Sequence, residues 1–181
     1  MTLRRPLFVK YAVLITVLAA VAGIVLTAGS AAATAAGGAS KADQHWITES
    51  LQTDLFEVQG GELGQKQGQS QMVVKLGETL ARDHSSAYAR NKKKATAIGA
   101  TVPSRPTMIM RQELQKIGAA KGSAFDEMFV KAQIKGHLKA IKGAKTEIAN
   151  GQDPTIVAAA KQGLKMYEMH LKMAEQAEQG L

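Results

Sequence analysis

Three of the four histidines in this sequence have a spacing that could do chemistry. A count of about 100° per residue around a helix places His84 and His137 each in the centre of an apolar stripe, and His170 about 80° from the centre of a third. Each lies near the middle of a separate predicted helix, and the middles of antiparallel neighbours meet at one level. Imidazole is the commonest protein metal ligand, and helical bundles build metal sites from facing helices. The pattern therefore predicts that three imidazoles converge inside the core, where they could bind a transition metal ion.

A hydrogen-bonded polar core without metal is the alternative interpretation of the same histidines. Buried polar side chains normally find hydrogen-bond partners, and a buried polar group can fix the register of packed helices. His45 lies near the start of the first helix and off its apolar stripe, so we expect it to be exposed and outside any site. The residue types alone leave both interpretations open.

Two aspartates accompany these histidines and could contribute to a site. Asp126 shares a helical face with His137, three turns away, although Ser123 and Asp126 also have the spacing of a capping box at the start of the third helix. Asp83 precedes His84 and lies about 100° from the apolar stripe, where it could orient a neighbouring side chain. A di-iron oxidase is not expected, because such bundles carry Glu-x-x-His on two helices and this sequence has no such motif.

The composition excludes most other chemistries. The sequence has no cysteine, which removes disulfides, thiolate ligands and cysteine nucleophiles. It has no Gly-x-Ser-x-Gly motif and no glycine-rich phosphate loop that follows a strand. The thioethers of Met166, Met169 and Met173 flank His170 and would suit Cu(I), but methionine more often fills apolar cores. The sequence therefore favours a non-catalytic protein.

The segments that carry these residues are predicted to be helices. Aromatic residues make up only 4% of the chain, and the abundance of Ala, Leu, Lys, Gln and Met favours helices over sheets. Apolar residues recur at helical spacing over 43–66, 70–98 and 123–150. A fourth long helix begins at Pro154 behind an Asp153 cap, and a short helix over 108–117 lies in the connection between the second and third.

Glycines mark where these helices turn and where they approach one another. Gly61 and Gly64 weaken the first helix by up to about 1 kcal/mol each relative to Ala, so we expect a neighbouring helix to pack closely there. The turns near Gly68 and Gly151 are short enough to make neighbouring helices antiparallel. The sequence therefore predicts an all-α fold, an antiparallel four-helix bundle over residues 43–181.

The first 35 residues have the layout of an export signal. Three basic residues within the first ten precede an apolar run over 11–26, and the Ala-Thr-Ala of residues 33–35 has the form that signal peptidase cleaves. An uncleaved membrane anchor over 11–35 is the alternative, because about 20 apolar residues span a bilayer. A linker over 36–42 would follow in either case. We expect the helical domain to lie outside the cytoplasm, in the periplasm or secreted.

The positive charge indicates which partners to expect. The formal net charge is +8, with 23 Lys and Arg against 15 Asp and Glu. The densest basic cluster, Arg90 with residues 92–94, lies near a predicted helix end, where cations complement the helix dipole. It contains no interleaved aromatic residue that could stack on bases. We therefore expect no nucleic-acid partner, but loose contact with an anionic envelope or membrane surface.

Short motifs spread over most of the chain carry a family resemblance. They are Glu57-Val58, Ala81-Arg82-Asp83-His84, Phe125-Asp126, His137 and Met169-His170-Leu171. In this order and spacing the sequence resembles the bacterial family called domain of unknown function 4142. The resemblance implies an exported, ferritin-like helical bundle of the envelope or membrane with no established reaction.

Glu57 is the residue on which the resemblance and the periodicity disagree. The resemblance gives Glu57 an inward, acidic position on the first helix. The periodicity instead puts Glu57 about 120° from the apolar stripe, which consists of Ile47, Leu51, Leu55 and Val58. Gly136, Lys165 and the glycine-rich first helix also depart from the family pattern.

Two functions follow from these observations. One is a non-catalytic envelope protein with an interaction or stress-related role, in which the polar core only fixes helix register. The other is a periplasmic metal-binding bundle. Its candidate ligands are His84, His137 and His170, with Glu57, Asp83 and Asp126 as contributing groups.

Overall fold

A computed structural model of the protein describes residues 38–181. This part of the chain holds five helices and no strand, and it belongs to one compact unit. The helices are α1 (Lys41–Gln67), α2 (Gln71–Ala97), α3 (Met108–Ala119), α4 (Ser123–Asn150) and α5 (Pro154–Gln179). None of these five is apolar enough over a sufficient length to cross a bilayer. The predicted signal or anchor over residues 1–35 lies outside the described residues.

The helix ends lie close to their predicted positions, with one wrong cap. The start of α5 lies behind Asp153, as predicted. The start of α1 lies two residues earlier than predicted, because Ser40 and Asp43 form a capping box. The predicted Ser123 cap of α4 is wrong, since the N-cap is Gly122 and no side chain caps this helix. Gly122 has a φ of 60°, a conformation that a glycine adopts without steric cost.

The four long helices pack side by side, and α3 lies across two of them. The packed pairs are α1 with α2, α2 with α5, α5 with α4 and α4 with α1, while α3 lies against α1 and α4. Asp43 at the start of α1 accepts the backbone N–H groups of Gln152 and Asp153 at 2.9 and 3.3 Å. These two hydrogen bonds hold the α4–α5 turn against the start of α1.

Glycines bring α1 and α2 into backbone contact, which confirms the close approach expected from the sequence. A Cβ atom on Gly61 would lie 2.6 Å from the carbonyl oxygen of Gly77 and from the amide nitrogen of Ala81. A Cβ atom on Gly77 would lie 2.7 Å from the carbonyl oxygen of Gly61. Carbon and oxygen atoms do not pack this closely, so the two helices touch here only because both positions lack a side chain.

A polar layer separates two apolar clusters in the core. The first apolar cluster consists of Ile47, Leu51, Ala95, Ile156 and Ala159. The second apolar cluster consists of Val73, Leu76, Leu80, Ile117, Phe125, Phe129, Val130, Ala174 and Ala177. Buried polar side chains lie between the two along α1, α2 and α5. The polar layer also includes two side chains of α4, Gln133 and His137. Its members are Asp54, Glu57, His84, Gln133, His137, Tyr167 and His170.

The buried face of α1 follows alternating steps of four and three residues. The buried residues that follow these steps are Asp43, Ile47, Ser50, Asp54, Glu57, Gly61 and Gly64, and Leu51, Phe56 and Gly60 are buried beside them. Such a seven-residue repeat is typical of long helices that pack at a small angle to one another. Leu55 and Val58 of the predicted apolar stripe are only partly buried. The repeat therefore turns Asp54 and Glu57 toward the other helices.

Candidate metal centre

His84 lies in the polar layer on α2 and is fully buried. Its Nδ1 atom lies 2.8 Å from Oδ1 of Asp54 on α1, which is also fully buried. The second carboxylate oxygen of Asp54 accepts a hydrogen bond from the side-chain amide of Asn91 at 3.4 Å. The Nε2 atom of His84 has no hydrogen-bond partner within residues 38–181. Asp54 therefore holds one edge of the imidazole, and the other edge is free to bind.

His137 on α4 is oriented by its own helix. Its Nδ1 atom lies 2.8 Å from the carbonyl oxygen of Gln133, one turn earlier. A carbonyl oxygen only accepts hydrogen bonds, so Nδ1 of His137 carries the ring proton. The Nε2 atom of the neutral imidazole therefore carries a lone pair.

His170 on α5 is oriented by Asp83 on α2. Its Nε2 atom lies 3.1 Å from Oδ2 of Asp83, whose Oδ1 atom accepts a hydrogen bond from Nε of Arg82 at 2.8 Å. Partial burial raises the pKa of Asp83, but hydrogen bonds from Arg82 and His170 and the positive charge of Arg82 lower it overall. The ionised carboxylate accepts the proton of Nε2, so Nδ1 of His170 carries the lone pair.

The lone pairs of His137 and His170 face each other. The Nε2 atom of His137 lies 3.3 Å from the Nδ1 atom of His170, and neither nitrogen has a proton to donate. One ring nitrogen from each of His84, His137 and His170 lies within 4.8 Å of the others. The three histidines predicted from the sequence thus converge at one level. A cation between the facing nitrogens would turn their repulsion into bonds.

Burial keeps the three imidazoles neutral. It lowers the pKa of His84 to about 3, that of His137 to about 3 and that of His170 to about 4. The ring centroids of these histidines lie 5.2 to 6.0 Å apart, and the ring of Tyr167 stacks on His84 at 6.1 Å. Neutral imidazole is the form that binds metal ions. The core therefore offers nitrogen donors in their binding state.

A family model described as "Domain of unknown function (DUF4142)" matches residues 28–177. The chain belongs to this family. The resemblance inferred from the sequence motifs is therefore confirmed, while no curated protein matches the chain.

One solved structure is similar to this DUF4142 chain in fold. It is a crystal structure of a DUF305 fragment from Deinococcus radiodurans, with a TM-score of 0.69 and 11% sequence identity. The similarity covers 79% of this chain and 99% of that chain. At this level of identity the likeness shows a shared helical fold alone.

Two buried carboxyl groups of α1 belong to the polar layer of this DUF4142 chain. Asp54, which the sequence analysis missed, contacts His84, and Glu57 lies one turn further along and is 1% exposed. Burial raises the pKa of Asp54 and that of Glu57 to about 8. The position of Glu57 agrees with the family resemblance rather than with the hydrophobic periodicity. The seven-residue spacing from Ile47 through Asp54 to Gly61 is the signal that could have found Asp54.

Asp126 lies away from the histidines. Its carboxylate accepts the backbone N–H groups of Gln69 and Ser70 at 2.8 to 3.1 Å. It therefore holds the chain at the start of α2 and does not cap its own helix. It lies about 16 Å along α4 from His137 at about 1.5 Å per residue. The structure brings Asp83 to the histidines but not Asp126.

The remaining candidates lie at the surface or in apolar packing. The side chain of His45 is 74% exposed and lies 3.5 Å from Glu49. Of the methionines near His170, Met169 is 44% exposed and Met173 packs against the second apolar cluster. The converging donors are therefore imidazole nitrogens.

Proposed function

We propose that this protein binds one divalent transition metal ion between His84, His137 and His170. The observation that carries the proposal is the 3.3 Å distance between the lone-pair nitrogens of His137 and His170. Two nitrogens bound to one ion at about 2.0–2.1 Å in tetrahedral geometry lie about 3.3–3.4 Å apart. This pair is therefore spaced for a shared ion, and His84, whose ring nitrogen lies within 4.8 Å of the other two, would move inward to complete the set.

The outer hydrogen bonds of the three rings support the same conclusion. Each ring has its second nitrogen next to an oxygen atom, which belongs to the carboxylate of Asp54, the carbonyl of Gln133 or the carboxylate of Asp83. In metal sites this arrangement fixes the tautomer and the orientation of the ligating histidines. A core that only fixes register gains nothing from lone pairs that face one another.

The donor atoms favour one class of ion. Imidazole nitrogens suit Zn²⁺, Cu²⁺, Ni²⁺ and Co²⁺, whereas Ca²⁺ and Mg²⁺ prefer oxygen ligands. The pKa of Asp83 is lowered, so its carboxylate is ionised, and a bound cation would favour ionisation of Asp54, whose pKa burial raises to about 8 without metal. The two carboxylates, one against each outer edge of the site, would then balance the two positive charges of such an ion in the dry core. The charge of the surroundings therefore matches a divalent ion.

Metal titration of the full chain tests this proposal. Calorimetry with Zn²⁺ after chelator treatment should show one ion per chain, and Co²⁺ should give the visible absorption of a four-coordinate ion. His137→Leu and His170→Leu should abolish binding with unchanged far-UV circular dichroism, whereas His45→Leu, at an exposed histidine, should bind as the unaltered protein does. Binding that survives both core variants would contradict the assignment.

One observation favours the second candidate function, a passive polar core in an envelope protein. The polar layer lies between two apolar clusters, where a shift of one helix would bury a charged or polar group against apolar side chains. In that case, leucine at positions 137 and 170 would leave stability unchanged or improved, because Asp83 keeps its ion pair with Arg82, and Zn²⁺ would not bind to the unaltered chain. The same titration therefore separates the two functions.

We also propose that the domain is a ferritin-like four-helix bundle outside the cytoplasm. The packing of the four long helices supports the bundle, and the charge and apolar pattern of residues 1–35 supports export. N-terminal sequencing of protein from a cell envelope fraction tests the second point. A new N-terminus after Ala35 indicates cleavage, and an intact N-terminus in membranes indicates an anchor. An intact chain found only in the cytosol would contradict export.

A further inference from the structure

The histidines themselves are sealed from solvent. His84 and His170 have no exposed surface, and His137 is 2% exposed. A metal ion can therefore reach them only past a side chain that touches both solvent and the polar layer. Within residues 38–181, two partly exposed side chains form hydrogen bonds with the polar layer. Asp83 is 20% exposed and contacts His170, and Asn91 is partly buried and contacts Asp54.

Of these two side chains, only Asp83 carries a negative charge that attracts a cation. Asn91 directs its amide hydrogens toward Asp54, and these donors repel a cation. The carboxylate of Asp83 uses Oδ2 for His170 and Oδ1 for Arg82. The Arg82 side chain is 65% exposed, and an ion pair at such an exposed position breaks and re-forms readily. Its departure would leave a carboxylate oxygen open to solvent, directly beside a ligand of the proposed site.

We infer that Asp83 is the first ligand an incoming divalent metal ion meets, and that Arg82 slows uptake by occupying the outer oxygen of this carboxylate. This inference rests on the metal site proposed above. The ion exchanges water for the Asp83 carboxylate, and then passes His170 to reach the three facing nitrogens. Arg82 and the ion compete for the same oxygen, so Arg82 affects the rate of uptake more than the final affinity.

Stopped-flow measurement of Zn²⁺ uptake tests this inference. The full chain is mixed with Zn²⁺ and a fluorescent chelator, and the rates of binding and release are compared among variants. Arg82→Gln should take up Zn²⁺ about threefold faster, since an exposed ion pair is worth a factor of this order. Asp83→Asn should take it up about tenfold more slowly, whereas an affinity lost through faster release alone would show that Asp83 only orients His170.

Arg90→Gln is the matched control. Like Arg82→Gln, it removes one positive charge from α2, but Arg90 lies next to Asn91 instead of Asp83. The uptake rate of Arg90→Gln should stay within about twofold of that of the unaltered chain, because Arg82, and not Arg90, pairs with Asp83 and salt screens an exposed charge that lies away from the ligand oxygen. Faster uptake in Arg90→Gln than in Arg82→Gln would overturn the inference by placing the route at Asn91. Equal rates in all variants would also overturn it. Failure of the unaltered chain to bind Zn²⁺ at equilibrium would instead contradict the metal site itself.

Discussion

The hydrogen bond with Asp54 orients the His84 ring, so that the Nε2 edge of the ring faces the other two histidines. The carboxyl group of Asp54 lies against Nδ1 of His84 and is held from the other side by Asn91. Without metal, burial raises the pKa of Asp54 to about 8, so its carboxyl group can donate to Nδ1 and leave the ring proton on Nε2. A bound cation would favour the ionised carboxylate, which accepts the Nδ1 proton, and Nε2 would then present its lone pair to His137 and His170. In the proposed site, a residue that does not touch the ion would thus fix the direction of one ligand.

Replacing Asp54 should therefore weaken metal binding. In Asp54→Asn the amide can donate to Nδ1, which moves the ring proton to Nε2 and blocks that donor. We expect the Zn²⁺ affinity to fall by about 10–100-fold, as is common when such a partner is removed. Competition against a chelator of known affinity measures the change. Glu49→Gln removes an exposed acid from the same helix, and an equal affinity in the two variants would contradict the role of Asp54.

Glu147 is a second buried acid with a distinct pH signature. Burial, followed by the hydrogen bond and charge of Asp43, raises the pKa of Glu147 from 4.5 to about 7. A folded pKa above the unfolded value means that the stabilising contribution is complete below pH 4.5 and is lost as the pH rises to about 7. Ionised Glu147 therefore weakens the contact between α4 and the start of α1.

Glu147→Gln should flatten this part of the pH profile. Relative to the unaltered protein, we expect the variant to gain about 1–2 kcal/mol of unfolding free energy between pH 4.5 and pH 8. Urea denaturation at several pH values measures the difference. Glu175→Gln, at an exposed acid on α5, serves as control and should follow the unaltered profile. Parallel curves for Glu147→Gln and the unaltered chain would show that Glu147 titrates normally.

The close pairing of α1 and α2 depends on two glycines that face each other. In Gly77→Ala the new Cβ would meet backbone atoms of α1 at 2.7 Å, so the helices would have to separate. We expect a loss of about 2–3 kcal/mol, although alanine is the better helix former by about 1 kcal/mol. Gly143→Ala on α4 is the control, since its nearest contact is 3.9 Å, and it should gain up to about 1 kcal/mol. Equal effects of both changes in urea denaturation would refute the contact.

The helices and three of the site residues could be predicted from the sequence, but the inward face of α1 could not. Local signals such as the Asp153 cap determine helix ends, and apolar neighbours mark the faces of α2 and α4. On α1 the buried positions hold Asp54, Glu57 and Gly61, so hydrophobicity does not identify them. Asp126 was misassigned as a cap because its partners, the amides before α2, come from a distant part of the chain.

The metal site, if loaded, would join all four long helices at the middle of the molecule. His84, His137 and His170 come from α2, α4 and α5, and Asp54 brings in α1. The layer lies between two apolar clusters that pack without it. Stability without metal should therefore come from the clusters, and the ion should add to it by binding only the folded chain.

Thermal unfolding of the whole protein tests whether the apolar clusters stabilise the metal-free chain and whether the ion adds to that stability. With Zn²⁺ at about 100 times its dissociation constant, the folded state should gain about 2.7 kcal/mol, which raises Tm by about 5–11 °C for a chain of this size. The His137→Leu and His170→Leu double variant should keep its metal-free Tm or raise it, because apolar side chains replace buried polar ones and Asp83 keeps its ion pair with Arg82, but Zn²⁺ should no longer change it. His45→Leu should respond to Zn²⁺ as the unaltered protein does. A Tm that Zn²⁺ leaves unchanged in the unaltered protein would show that the polar layer serves helix register alone.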